Sequence, residues 1–427
     1  MAGKSLSQRL RSLRDSDSLY IGAERLASAV LNLVALLAVA RFLGVEAYGA
    51  FALAMSILGI GLALGHLGLD GLLLKRLIAE PERASRLLGT VSFTKYAIYL
   101  PAFAAFSFLP AQIGLTPLEG HVLQAIAPIF LIMPLTSGII GWLNSRDLFR
   151  SPSLARILAV VVGSSAKLAL IAGGFGLVSI GLAHTALFVM EFAVLAVLLF
   201  RHGGPLPHRW RFEGALVASL YRQAGPLFIA SLAGMTYAQI DILMLRYLTD
   251  QTVVGEYAFV QQILQSAQIV PFAITLAAFP TLVRLEKEDL RKFFAHALSI
   301  ALKIVGLGTL IALALVAVGP WLVVTLLGQD YAATGDTLRI GALALPFIFL
   351  RQLTSKMYIC LERGMLLAVI ECGVLVVAIL LQRMAITSYG ADGAAGVVIL
   401  TYALASLGAY LCSGALVRRR VDEEKAQ

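Results

Sequence analysis

Five basic residues stand inside stretches that are otherwise apolar: Arg25, Lys95, Lys167, Lys303 and Arg351. A charge held in hydrocarbon is costly, so each is a functional candidate by default. Arg and Lys supply the charge-assisted donors that hold phosphate, and five of them drawn from both halves of the chain would suit a pyrophosphate group in a positive cavity. The competing reading is that Arg25, Lys95, Lys303 and Arg351 each lift their charge to a nearby interface. Lys167 lies deeper, where that escape is harder. Among the acids, Asp241, Glu191 and Glu371 are the deeply placed ones. Each would partner a buried cation or exchange a coupling proton or sodium ion. Glu24 neutralises neighbouring cations, and Asp70 and Glu256 fall near segment ends, where solvation or helix capping suffices. His184 is either a proton relay or a satisfied buried imidazole.

A polar row accompanies these charges. Gln261, Gln265 and Gln268 share one helical face. They would line a hydrophilic lumen that meets sugar hydroxyls, or hydrogen-bond between helices. No Walker loop, metal-ligand spacing or nucleophile elbow occurs, so no catalytic residue, metal or cofactor is expected and an enzyme is the least favoured class. Energy for any transport would then come from an ion gradient, the membrane potential or downhill flow of substrate. The three cysteines, Cys360, Cys372 and Cys412, have no C-x-x-C spacing and read as free thiols.

The elements that must position these residues are membrane helices. The chain is 59% hydrophobic and 14% charged, with mean hydropathy +0.86, which indicates an all-α polytopic membrane protein. Apolar runs of about 20 residues recur, each enough to cross a core about 30 Å thick. Twelve spans are expected at about 19–43, 47–69, 88–110, 122–145, 151–174, 176–200, 225–248, 253–280, 294–319, 335–358, 364–387 and 391–417. The short apolar interval 320–328 is expected to lie at the interface. The net charge of +9 does not indicate nucleic acid, because Lys and Arg cluster in alternate connections. That pattern places both termini in the cytoplasm.

The chain also repeats itself. Arg41, Gly49 and Phe51 recur as Arg246, Gly255 and Tyr257, and Pro128, Thr136 and Ser137 recur as Pro346, Thr354 and Ser355. Two pseudo-symmetric six-helix lobes follow, over residues 1–200 and 224–427. Between them, 201–223 is a cytoplasmic linker with an amphipathic segment (Trp210, Phe212, Leu216, Leu220) suited to a membrane surface. Transporters are commonly built from such repeats, with the substrate path at their interface. No external connection is long enough to form a domain.

Particular motifs point further. The run Ala40-Arg41-Phe42-Leu43-Gly44, followed by Tyr48-Gly49, resembles the opening of the bacterial polysaccharide-transport flippases of the multidrug/oligosaccharidyl-lipid/polysaccharide exporter superfamily. Ala224-Gly225-Pro226-Leu227, Gln239-Ile240-Asp241, Val254-Gly255-Glu256-Tyr257 and Pro280 resemble that family's seventh and eighth helices, and Tyr389-Gly390 with Gly393-Ala394-Ala395-Gly396 its approach to the last. The resemblance implies a multi-pass protein of the bacterial cytoplasmic membrane, two six-helix lobes, a central cationic cavity and alternating access. It further implies an undecaprenyl-pyrophosphate-linked oligosaccharide as substrate, moved to the outer leaflet for O-antigen, capsule or exopolysaccharide assembly. Membrane lipids, H+ or Na+, and a glycan polymerase are the expected partners. Lipid II flippases carry an Arg-Asp pair where this chain has Ala35-Leu36, and no thirteenth or fourteenth span is expected here. Peptidoglycan precursor is therefore disfavoured. A cation-coupled multidrug exporter of the same superfamily, and a non-transporting scaffold for a glycan polymerase, stand as alternatives.

Overall fold

In hydrocarbon every backbone amide needs an internal partner, and a helix provides one for each. The computed structural model describes residues 26–66, 69–112 and 114–426, without the side chains of 66, 221, 223, 224, 226, 227 and 416–426. Among the described residues there is no strand. The helices are α1 (Leu26–Leu43), α2 (Val45–His66), α3 (Leu69–Ala79), α4 (Ala84–Phe108), α5 (Pro117–Ile126), α6 (Ile129–Ser145), α7 (Arg150–Ala172) and α8 (Leu177–Arg201). They continue with α9 (Gly214–Tyr237), α10 (Ile240–Leu248), α11 (Gln251–Ala267), α12 (Ile269–Glu288), α13 (Leu290–Leu327), α14 (Ala332–Ala342), α15 (Leu345–Cys360) and α16 (Gly364–Ala426).

Nine helical stretches among the described residues are long and apolar enough to cross a membrane, or ten if the bent pair made by 329–342 and Leu345–Cys360 is one span. The stretch Gly364–Ala415 has 52 residues, about 78 Å at 1.5 Å per residue, and so contains two crossings. They part at Gly390, whose φ of 54° and ψ of −129° are open to glycine and strained for other residues. α4 is also long enough, at 25 residues, although Lys95 and its polar neighbours lower its hydropathy. These twelve crossings match the expected all-α polytopic fold.

The second sequence echo marks a pair of breaks. Pro128 separates α5 from α6, and Pro346 sits in the first turn of α15 after the 48° bend from α14. Proline removes an amide donor, so both crossings are interrupted at matching places. The interval 320–328, by contrast, is not a separate interfacial piece. α13 runs for 38 residues through Pro320 to Leu327. α14 lies flush on that proline at Gly335, where an added Cβ would stand 2.9 Å from it.

The chain divides into two compact units, 1–36 with 64–224 and 37–63 with 225–427. Residues 37–63 thus group with the second unit, whereas the sequence assigns them to the first lobe. The cause is local. α2 crosses α11 so closely that a Cβ on Gly255 would stand 2.0 Å from the Val45 carbonyl oxygen, and one on Gly49 would stand 2.6 Å from that of Gln251. The two glycines paired by the sequence repeat are the residues that let these backbones meet.

Within the first unit, 205–213 is strapped into a groove of its own unit. Trp210 is buried and donates its indole N–H to the Pro205 carbonyl at 2.6 Å. The Arg211 amide donates to the Ser85 carbonyl and the Glu213 amide donates to the Thr90 hydroxyl, at 3.1 and 3.0 Å. The Glu213 carboxylate faces Arg83 and Arg86 at 3.7 and 3.6 Å. An added Cβ on Gly89 would stand 2.3 Å from the Arg211 carbonyl oxygen. Gly89→Val is therefore expected to lift the strap, and limited proteolysis should then cut between 205 and 214 at least several-fold faster than in the parent. Unchanged cleavage would mean that the groove adapts.

Candidate functional site

The site in the second unit is organised by a broken helix. α9 ends at Tyr237 and α10 starts at Ile240, so the turn at Ala238 and Gln239 leaves backbone groups without helical partners. The row of glutamines predicted on one face supplies one of them. Gln261 Nε2 donates to the Ala238 carbonyl at 2.7 Å, and the Ser56 hydroxyl donates to Gln239 Oε1 at 2.9 Å. Irregular backbone at membrane depth is tolerated where it lines a cavity or is buried in protein. Here it does the former. A cavity of about 530 Å3 is bordered by the break together with Gln261, Gln265, Gln268, Asp241, Arg351 and Tyr402. Its size lies within the range typical of small-molecule sites, about 300–1,000 Å3.

Asp241 occupies the first turn of α10, where the helix dipole favours an acid. It is buried, and its carboxylate accepts from the Ile242 amide at 2.9 Å, from Gln261 Nε2 at 3.1 Å and from the Tyr257 hydroxyl. All three donors are neutral. Arg351, on α15, makes the opposite kind of contact. Its Nε donates to Oε1 of Glu371 at 3.2 Å, and Nη2 pairs with the same oxygen at 3.0 Å. Its guanidinium lies over the rings of Tyr237 and Tyr402, 5.1 and 5.9 Å from their centroids, and those two rings meet edge to face. Gly234 makes room for it, since a Cβ there would stand 2.2 Å from Arg351 Nη2.

The remaining predicted residues fall elsewhere. Arg25 and Glu24 lie outside the described residues. Lys303 is exposed on α13, and no described residue forms an ion pair with it. Ser299, Lys303, Gly306 and Thr309 form one exposed line along that helix. The first unit holds Lys95, Lys167 and Glu191. Lys95 is buried and donates to Asp70 at 2.5 Å and to the Ser137 hydroxyl at 2.8 Å. Glu191 pairs with Arg156 beside a second cavity of about 380 Å3, which Asp70, Ser137 and Asn144 also line. Lys167 contacts His184 Nδ1 at 2.9 Å. Within the units, then, Lys95 and Arg351 are each neutralised by a carboxylate rather than left as bare cations.

Sequence reasoning missed Arg156, which stands near the start of α7, and the tyrosines 237, 257 and 402. Their signal is available in hindsight, since a tyrosine within a span needs a partner for its hydroxyl.

Residues 16–286, well over half of the chain, match the family of polysaccharide biosynthesis proteins. The chain belongs to that family. The fold of this polysaccharide biosynthesis protein is also that of a known flippase and of known transporters. It is similar to a lipid II flippase, MurJ, in an inward closed conformation, with a TM-score of 0.74 and 15% identity over 91% of this chain and 86% of the other. It is likewise similar to an inward-facing multidrug resistance MATE family transporter of the MOP superfamily, with a TM-score of 0.72 and 15% identity over 93% and 98%. A third likeness is to a MOP superfamily transporter from Pyrococcus furiosus, whose binding pocket is described as having reversed polarity, with a TM-score of 0.68 and 14% identity over 94% and 95%. No curated protein matches the sequence.

Proposed function

We propose that this chain is a flippase that carries undecaprenyl-pyrophosphate-linked oligosaccharide from the cytoplasmic to the periplasmic leaflet of a bacterial inner membrane, by alternating access, for O-antigen, capsule or exopolysaccharide assembly. The observation that supports it most is the broken-helix cavity, whose glutamines and tyrosines suit a sugar while Arg351 stands at its edge. Carboxamides offer paired donors and acceptors to hydroxyls, and aromatic rings present an apolar face to the sugar ring. Gln261, Gln265 and Gln268 are assigned to the saccharide. Lys303 and Arg351 are assigned to the pyrophosphate. Lys303 carries most of that assignment, because its exposed line of small and polar residues suits water better than lipid tails. Lys95 is already matched by Asp70 and so positions α3 against α4. Asp241, met only by neutral donors among the described residues, is the carboxylate assigned to a coupling H+ or Na+.

The test is deletion of the gene, with chromatography of polyprenyl-linked intermediates and staining of surface glycan. A complete lipid-linked repeat unit should accumulate on the inner leaflet while surface polymer disappears. Complementation with Lys303→Gln should leave export reduced at least about tenfold at normal membrane abundance, the loss of one charge-assisted contact at about 1.5–3 kcal/mol. Unchanged intermediates and normal glycan would remove the proposal. A drug-resistance assay would then decide for the multidrug exporter, whose organic cation would sit on Asp241.

A further inference from the structure

The Lys167–His184 contact is not explained by a pyrophosphate site. Lys167 is 4% exposed on α7, and the partner on its ammonium is an imidazole nitrogen of α8 at 2.9 Å. In a low-dielectric interior two positive charges cannot be kept at hydrogen-bond distance, so the pair holds one proton between its two nitrogens. Either Lys167 donates to a neutral His184, or a charged His184 donates to a neutral Lys167.

The surroundings extend this pair into a row. His184, Phe188 and Glu191 share one face of α8, and Arg156, Val160, Ser164 and Lys167 share one face of α7. The His184 ring meets Phe188 edge to face, and the Arg156 guanidinium lies 5.2 Å from the centroid of that same ring. Arg156 is neutralised by Glu191 at the wall of the 380 Å3 cavity. Between Arg156 and Lys167, the Ser164 hydroxyl is buried and has no hydrogen-bond partner among the described residues. An orphaned hydroxyl inside a seam is a place for a transient water. Among the described residues, the elements packed on this seam add little charge. α1, which reaches it through Leu31, has no ionisable residue between 26 and 40, and α6 has none. On α5, Glu119 closes a capping box with Thr116, and His121 is exposed.

We propose that Lys167 and His184 form a proton-binding site, reached from the Arg156–Glu191 end of the α7–α8 seam by way of Ser164. The site takes a proton as its ligand in place of an anion, because the two basic nitrogens already face each other at hydrogen-bond distance. Its use in transport deepens the flippase reading and rests on it, whereas the proton site itself does not.

The experiment therefore has two arms. In the first, the full-length protein carries 15N-histidine, and the His184 resonance, assigned with His184→Gln, is followed from about pH 5 to about pH 9. His184 should titrate differently in Lys167→Met than in the parent, and inorganic pyrophosphate should leave its resonance in place. Identical titration curves, or a resonance that moves on adding pyrophosphate, would overturn the site. In the second, membrane vesicles are given an imposed pH gradient. Acceleration of substrate translocation by the gradient should vanish in Lys167→Met and return in the reciprocal swap Lys167→His with His184→Lys, which keeps one proton on the same seam. Full acceleration in Lys167→Met, or no return in a swap that reaches the membrane, would overturn the coupling role. A failed flippase reading would show instead as no translocation in any vesicle while the first arm still reads the shared proton.

Discussion

Arg351→Ala is expected to destabilise the second unit by about 3–5 kcal/mol, the usual consequence of leaving one member of a buried ion pair uncompensated. Glu371 is 3% exposed, so without the guanidinium its charge has neither water nor a counter-ion. Removal also leaves the Tyr237 and Tyr402 rings facing each other without the cation they flank. Set against a typical total of about 5–15 kcal/mol, this is a large share. Thermal unfolding in detergent, followed in a Cys372→Ser, Cys412→Ser background with a thiol-reactive dye that reads the buried Cys360, should show a clearly lower midpoint. Glu371→Gln should cost less, because Arg351 keeps both aromatic faces and is partly exposed. The double change Arg351→Met with Glu371→Leu should recover most of the stability, since a well-packed apolar pair often replaces a buried ion pair at little cost. Export should nonetheless stay lost in that double variant if the guanidinium meets the pyrophosphate. Recovery of both stability and export would reduce Arg351 to a structural residue. A single Arg351→Ala variant within about 1 kcal/mol of the parent would show that Glu371 had found another partner.

The pair also shows where sequence reading stops. That Arg351 and Glu371 lie inside spans is visible from hydropathy, and each is a candidate on that ground alone. Their separation of twenty residues, across a turn between α15 and α16, carries no periodic signal that they meet. The same holds for Lys95 with Asp70 and for Arg156 with Glu191, which depend on which faces two helices turn to each other. The cavity was more legible in part. The spacing of Gln261, Gln265 and Gln268 fixes a common face, and all three line it. The break at Ala238 and Gln239, which gives that face its purpose, has no proline or glycine to announce it, and it forms where Gln261 meets the Ala238 carbonyl and Ser56 holds the Gln239 side chain. The fold itself was legible almost throughout, because apolar length and charge placement are properties of the chain taken locally. Lobe membership of 37–63 was not, because it is decided by how closely two backbones approach.

Gly255→Leu is expected to abolish the folded protein, and Gly255→Ala to cost more than the about 1–3 kcal/mol of ordinary overpacking. The obstruction facing the new Cβ is the Val45 carbonyl oxygen at 2.0 Å, with the carbonyl carbon at 2.9 Å. These are backbone atoms of α2, so no rotamer can relieve the contact and the whole helix must withdraw. The reciprocal contact is similar. A Cβ at Gly49 would meet the Gln251 oxygen at 2.6 Å and the Gly255 nitrogen at 2.9 Å. One separation of α2 from α11 would therefore relieve both sites. The double variant Gly49→Ala with Gly255→Ala should cost about as much as the worse single change, well short of their sum. Gly373→Ala provides the comparison. Nothing lies within 4 Å of its added Cβ, and it stands in a helix, so it should be neutral or stabilising by up to about 1 kcal/mol. Detergent-resistant folded yield, read by size-exclusion chromatography of a fluorescent fusion, measures these variants and the Gly49→Ala single change. Additive losses would mean that the two glycines act at separate contacts. A non-additive result would tie them to one crossing, the crossing that holds residues 37–63 to the unit containing the broken helix. Because Gly59 and Ser56 reach the cavity from that same segment, a variant that folds with α2 displaced should also lose its polar contact at Gln239, and with it the shape of the proposed sugar site.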